Sequence, residues 1–367
     1  MKSEQTLPAA YAEMDPQDIS RRIAAHKDKF GRRLCILGHH YQRDAIIRHA
    51  DFAGDSLKLS QMAAAEKKAQ YIVFCGVHFM AESAEILSAP DQTVILPNMR
   101  AGCPMAEMAE SSDIQAAMDE ITMLTTAKVI PLTYVNSTAA AKAVTGRLGG
   151  ACCTSGNAKQ AFSWALDPAA GGADKLLMMP DQHLGRNTAL ALGYTEDSCA
   201  IYDPALPDGG LQAEDIRRAT FLLWKGHCYV HQQFNAEHVR AVRADDPKTI
   251  VMVHPECPRE VVALADKAGS TEQIIQAVRD GKPGSRWAIG TENHLVRRLA
   301  HKYPDRTIEC LSPQKPQCLQ MRQIDPAHLL WSLDCLADGR PVNIVTVADQ
   351  LADGARLALR RMLDIGS

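Results

Sequence analysis

Short apolar runs recur along the chain, and three of them end abruptly in polar chemistry. Leu34-Cys35-Ile36-Leu37 runs into Gly38-His39-His40-Tyr41-Gln42, residues 129–135 run into Asn136-Ser137, and Ile250-Val251-Met252-Val253 runs into His254-Pro255-Glu256. Between these runs the pattern alternates with amphipathic, helix-like stretches. Asp15-Pro16 opens a helix over 16–29, with Asp15 as N-cap and proline at the first helical position. Ala53-Gly54-Asp55-Ser56 opens another that reaches about residue 69. A strand over 71–77, a helix over 79–87 and a strand over 93–97 follow. The middle third repeats this order: helix 114–125, strand 129–135, a helix capped by Ser137 and ending near Gly149-Gly150, strand 151–153, a helix opening at 154–157, and strand 175–179. Regularity then stops. Residues 194–226 are rich in Pro, Gly and Asp around one helix at 213–224, and read as an insertion or lid. The last third resumes with strand 250–253, a helix over 259–268 with Pro258 at its start, and the capping box Ser270-Thr271-Glu272-Gln273. Strands at 287–290 and 307–309, with a helix from Asn293 between them, and a final helix over 347–363 complete the pattern.

Strand–helix–strand order is the grammar of parallel sheets with right-handed crossovers, so the fold class is α/β. Three units of similar order suggest an internal repeat of three α/β domains. The expected boundaries are 1–108, 109–235 with the insertion near 194–226, and 236–339; the C-terminal helix, 340–367, is expected on the first domain. Ligands of open parallel sheets bind beyond the carboxyl ends of the strands, so the three polar endings point to one shared site.

Bulk numbers narrow the partners. The chain has 367 residues, 46% hydrophobic and 23% charged, with a net charge of -3 and a pI of about 6.5. It has no basic excess for a phosphate backbone, which argues against nucleic acid. No apolar run approaches the roughly 20 residues of a membrane span, and residues 1–33 lack a signal-peptide core. A cytoplasmic protein without membrane partners is expected. Eleven cysteines, an odd count, with no secretory signal and no C-x-x-C pair, argue for reduced thiols, core packing or metal ligation rather than a disulfide framework.

Cys35, Cys75, Cys152 and Cys153 lie in strand runs and read as core. Cys103, Cys228 and Cys318 instead follow the last strand of each third, in glycine- or proline-flanked loops, where spacing alone leaves ligand and bystander equally open. Three thiolates on an iron–sulfur cluster would leave one corner free, which suits Lewis-acid loss of water. His39, His254, Glu256, Tyr41 and Tyr134 can hold or move protons, and Ser56, Ser155 and Thr271 stand at helix starts that favour anions. Each also has an ordinary structural reading: a Ser or Thr there can be only a cap, Asn136 only a turn residue, and His40, His78 and His183 satisfied histidines. A zinc hydrolase on His39, His254 and Glu256 lacks a paired-histidine helix motif. A non-catalytic iron–sulfur sensor lacks an output module, and another iron–sulfur dehydratase stays open on these residues.

The motifs Gly38-His39-His40-Tyr41-Gln42, Gly54-Asp55-Ser56-Leu57, Gly76-Val77-His78-Phe79-Met80-Ala81-Glu82, Tyr134-Val135-Asn136-Ser137, Cys153-Thr154-Ser155, Val253-His254-Pro255-Glu256, Gly269-Ser270-Thr271 and Cys318-Leu319-Gln320-Met321, in this order, resemble the quinolinate synthase family. The resemblance implies three α/β/α domains with short parallel sheets about a pseudo-threefold axis. It implies a [4Fe–4S] cluster held by Cys103, Cys228 and Cys318. The implied reaction condenses iminoaspartate (iminosuccinate) with dihydroxyacetone phosphate to quinolinate, phosphate and water, in de novo NAD biosynthesis. The implied substrate-binding set is His39, Ser56, Tyr134, Asn136, Ser155, His231, His254, Glu256 and Thr271, with Tyr41, His254 and Glu256 as catalytic groups. Functional handover from an L-aspartate oxidase is a further expectation, and a homodimer is an open alternative to a monomer.

Overall fold

The computed structural model describes residues 6–365, and expectations for residues 1–5 and 366–367 lie outside them. Three all-parallel sheets flanked by helices make up the α/β fold. The first contains β1 (Leu34–His39), β2 (Phe52–Gly54), β3 (Tyr71–Cys75) and β4 (Thr93–Ile95) in the order β2-β1-β3-β4. The second contains β5 (Val129–Tyr134), β6 (Ala151–Cys153), β7 (Lys175–Met179), β8 (Cys199–Tyr202) and β9 (Phe221–Trp224) in the order β6-β5-β7-β9-β8. The third contains β10 (Ile250–Val253), β11 (Lys267–Ala268), β12 (Arg286–Gly290) and β13 (Thr307–Cys310) in the order β11-β10-β12-β13. In every sheet the chain leaves the first strand for an edge and returns to its other side. The repeat expected from the pattern is therefore a repeat of topology, and β1, β5 and β10 each stand at a switch point where such sheets bind ligands.

The described residues divide into two compact units, one reaching Cys103 and including Cys318–Ala348, the other running Pro104–Gln317 with the C-terminal helix. In the first unit, Asp15 accepts from Gln17 and Asp18 N–H and caps helix Pro16–Phe30 as its sequence dictates. That helix packs on Pro326–Ala337, which the pattern did not single out, and Asp334 binds Tyr11 Oη, Arg22 Nη2 and His26 Nε2 at 2.7, 2.6 and 2.6 Å. The free edge of β4 is covered where Val345 N–H donates to Val94 O and Leu96 N–H to Asn343 O. Helix Ser56–Ala65 is shorter than expected, because the Glu66 carboxylate takes the N–H groups of Lys68 and Ala69 and ends it.

The second unit corrects four expectations. Residues 194–226 are no lid: β8 and β9 widen the second sheet, and only Ala213–Arg218 is helical there. Phe221-Leu222-Leu223-Trp224 is fully buried between β7 and β8, which a strand achieves and a surface helix would not. Thr138, not Ser137, caps helix Ala139–Arg147, since its side chain accepts Ala141 N–H while Ser137 Oγ turns back to Tyr134 O. Pro258 is the N-cap of helix Arg259–Leu264, which stops early so that Lys267–Ala268 can pair with β10. Finally, helix Asp349–Ile365 lies along Ala139–Arg147, not on the first sheet's domain. The two helices meet through glycines: a Cβ on Gly146 would fall 2.0 Å from Gly354 O. Arg361 adds hydrogen bonds to Gly146 O and Gly150 O.

Candidate active site

In the first unit, β1 delivers His39, which is buried, to its carboxyl end. Tyr41 packs edge-on against it, with ring centroids 4.8 Å apart, and Tyr41 N–H donates to His39 Nδ1 at 3.1 Å. Ser56 is the first residue of its helix, whose cap is Asp55. Cys103 and Cys318 are both partly exposed, and Cys318 Sγ accepts Met321 N–H at 3.5 Å.

The second unit brings strand ends from two sheets together. His231, His254 and Glu256 are each at most 2% exposed. His254 Nε2 lies 3.1 Å from Ser155 Oγ, and Glu256 N–H donates to His254 Nδ1 at 3.3 Å. That bond requires an acceptor at Nδ1, which places the proton on Nε2 and makes His254 a donor to Ser155. The His231 and His254 rings stack 4.5 Å apart. His231 Nδ1 stands 2.6 Å from Glu256 Oε2, which also lies 3.5 Å from His254 Nδ1, while His231 Nε2 lies 3.1 Å from Thr291 Oγ1. Tyr134 also hydrogen-bonds the Glu256 side chain.

Electrostatics follow from this packing. Burial, with His231 beside it, holds His254 down at about 3 despite Glu256, so its imidazole is neutral at physiological pH. Burial alone would raise Glu256, but His231, His254 and the hydrogen bonds from His231 and Tyr134 outweigh it and bring the carboxyl to about 2. Because His254 is neutral, we assign that pull chiefly to His231 and the hydrogen bonds. Glu256 is thus an ionised carboxylate in a dry place, and its Oε1 has no hydrogen-bond partner.

Cys228 lies beside this pair: the ligating atoms of Cys228, His231 and Glu256 all fall within 4.8 Å of one another. Asn136 Oδ1 is buried without a partner, at the turn following β5. Thr271 is the first residue of helix Thr271–Arg279, capped by Ser270 as the sequence motif requires. Gly156 lies beside Ser270, at ordinary contact distance for a Cβ built there. Ser155, Tyr134, His231, His254, Glu256 and Cys228 are therefore one connected cluster.

Three buried groups of this site escaped the sequence reading. Asp181, after β7, accepts the N–H of Leu184 at 2.7 Å and of Cys228 at 3.1 Å. Thr291, after β12, orients His231. Asn187 Nδ2 donates to Pro255 O and Cys257 O, the carbonyls on either side of Glu256. Asp181 and Thr291 carried the available signal, a polar residue just past an apolar strand; Asn187 lies mid-helix and carried none. Among the described residues no helix is long and apolar enough to cross a membrane.

Known proteins share this chain nearly end to end. The quinolinate synthase of Bacillus licheniformis is 49% identical over 359 residues, 98% of this chain and 96% of that protein. That of Geobacillus thermodenitrificans is 48% identical over 363 residues, 99% and 97% of the two chains. That of Bacillus cereus is 49% identical over 361 residues, 98% and 97% of the two. The family described as quinolinate synthetase A protein (NadA) matches residues 21–364. With that coverage, and with His, Glu and Cys side chains gathered at its strand ends, the chain belongs to the quinolinate synthase (NadA) family of enzymes.

Proposed function

We propose that this enzyme condenses iminoaspartate with dihydroxyacetone phosphate to quinolinate, phosphate and water, with a [4Fe–4S] cluster on Cys103, Cys228 and Cys318. The observation that carries the reading is Cys228 set against the buried His231–Glu256 pair, a soft ligand beside a proton-handling unit. The thiol chemistry fits such a cluster. Cys103, Cys228 and Cys318 are partly exposed loop residues, and Cys318 Sγ already accepts a backbone N–H, the contact that steadies cluster sulfurs. By contrast burial pushes Cys35, Cys75 and Cys152 up to about 12, which keeps them protonated and poor ligands. When bound, the cluster would supply an open iron able to polarise a substrate oxygen.

The chain's own residues do the rest. The hydroxyl of Ser155, held by His254 Nε2–H, and Thr271 at a helix start present donors to carboxylate or phosphate oxygens. Glu256, at about 2, is a weak base in the free site. A dianionic substrate beside it raises its proton affinity, and its unpartnered Oε1 then takes a proton while His231 Nδ1–H steadies Oε2. Tyr134 holds the carboxylate against rotation. His39 and Tyr41, braced ring to ring, are assigned to the second substrate, with Ser56 and Asn136 as further binding groups. Odd-numbered, reduced cysteines suit a cytoplasmic setting, and an L-aspartate oxidase is the fitting source of the short-lived imine.

The test is anaerobic purification with metal analysis and assay. About four irons per chain and quinolinate formation from both substrates support the reading. Full activity in iron-free protein, or iron-loaded protein that makes no quinolinate, overturns it.

A further inference from the structure

In protein that lacks its cluster, Cys228, His231 and Glu256 remain together as a sulfur, a nitrogen and an oxygen donor within 4.8 Å of one another. That is the mixed donor set of a three-ligand zinc site with an open fourth position. Ligands on tetrahedral zinc stand roughly 3.3–3.8 Å apart, so the widest pair closes by about 1 Å while His231 Nδ1 gives up its 2.6 Å contact with Glu256 Oε2 to the metal. Two further observations point to a cation here. Glu256 Oε1, on a side chain at least nine-tenths buried, has no hydrogen-bond partner. Thr291 Oγ1 meets the other ring nitrogen of His231 at 3.1 Å, the outer contact that fixes a ligating imidazole. From this geometry we infer that Cys228, His231 and Glu256 form a zinc site of the cluster-free protein, and that zinc there competes with cluster assembly by occupying the Cys228 thiolate.

No other described Cys, His, Asp or Glu group offers three ligands at this spacing. The site uses one cysteine and two side chains of the acid–base unit, so it is distinct in composition from an all-thiolate cluster. Zinc affinity is read on cluster-free protein, so this inference stands or falls separately from quinolinate formation.

The experiment titrates the full-length, cluster-free chain with zinc chloride against a chromophoric chelator. One equivalent should bind tightly, and X-ray absorption should show one sulfur at about 2.3 Å with nitrogen and oxygen donors at about 2.0–2.2 Å. Cys228→Ser and Glu256→Gln should each weaken binding by more than about 100-fold, and Thr291→Val by about 10-fold. Cys103→Ala should bind zinc as wild type does although it cannot complete the cluster. Zinc-preloaded wild type should take up iron and sulfide more slowly than zinc-free protein. Three sulfur ligands in the absorption spectrum, or loss of zinc binding in Cys103→Ala, would mean that zinc sits on the loop thiols and would overturn the inference. So would unchanged affinity in a folded Glu256→Gln variant. The wild-type spectrum decides the question even if a variant fails to fold.

Discussion

The fully buried Asp181 side chain accepts the backbone N–H of Cys228 at 3.1 Å, and the helix it caps carries Asn187, which donates to both carbonyls flanking Glu256. One helix, Gln182–Ala191, thus sets the separation of the thiol and the carboxylate. Asp181→Ala removes a helix cap and strands a buried N–H donor. A loss of about 2–4 kcal/mol in unfolding free energy is expected, read by urea denaturation. Wild-type stability in that variant would show that water replaces the side chain and that the bond fixes nothing.

The packing of the C-terminal helix gives a second prediction. Gly146→Ala forces a methyl group into Gly354 O, backbone against backbone, and neither helix can yield without losing buried contacts. Destabilisation of about 3 kcal/mol or more follows, at the upper end for overpacking. In a chain of 367 residues a loss of that size lowers the melting temperature by only about 4 °C, so the reading is the unfolding free energy from urea denaturation, and a loss below about 1 kcal/mol would be incompatible with this helix pair.

Those two helices also show what the pattern could carry. The apolar runs of β1, β3, β5, β7, β10 and β12 are buried in the middle of their sheets, so tertiary packing reinforced the local signal. The edge strands β2 and β11 are three and two residues long and satisfy only backbone pairing, which leaves no periodicity to read. Phe221–Trp224 misled because a four-residue apolar run after a helix looks the same whether it continues that helix or starts a strand. Where helix Asp349–Ile365 docks depended on glycines 208 positions apart, information no local window holds. At the site, His254 and Glu256 were legible as polar residues after an apolar strand. Asn187 was not, because what matters is two carbonyls that approach it only in the folded chain.

The buried histidine makes stability depend on pH. His254 is held at about 3 in the folded state against 6.5 when exposed, so between those values the unfolded chain binds the extra proton. The contribution of His254 to stability is therefore lost as pH falls below about 6.5, with a slope near 1.4 kcal/mol per unit until its folded pKa is reached. Asp181, pushed well above the ordinary carboxyl range by burial and Glu256, acts with the opposite sign. Glu256, depressed to about 2 from 4.5, adds loss of the same sign as His254 below 4.5. In cluster-free protein, His254→Asn should flatten the dependence between pH 4.5 and 6.5 and leave the steeper part below. An unchanged difference between the urea midpoints at pH 5 and pH 6.5 in a folded His254→Asn variant would contradict a neutral buried imidazole.

Thiol chemistry separates core from site. With burial raising Cys35, Cys75 and Cys152 to about 12, roughly one molecule in 10⁴ carries the thiolate at pH 8. Iodoacetamide should spare these three in the folded, cluster-free chain and modify Cys103, Cys228 and Cys318, all partly exposed. Reconstitution with iron and sulfide should then protect the second group alone. Mass spectrometry showing equal labelling of Cys75 and Cys318 would mean that burial does not govern reactivity here.

Glu256→Gln tests the division of labour inside the site. The substitution keeps size, and an amide oxygen can still accept from His231 and Tyr134, so the fold and ligand binding should survive. What disappears is the negative charge and the lone pair at Oε1 that can take a proton, because the amide NH2 offers only donors. Turnover should fall by about 10²-fold or more with KM changed far less, the signature of an interaction used in the transition state rather than in binding. Iron content should stay at the wild-type level, since Glu256 is assigned no cluster bond. A variant that loses KM and kcat together, with iron lost as well, would assign Glu256 to holding the site's architecture and move the proton-handling role to His231.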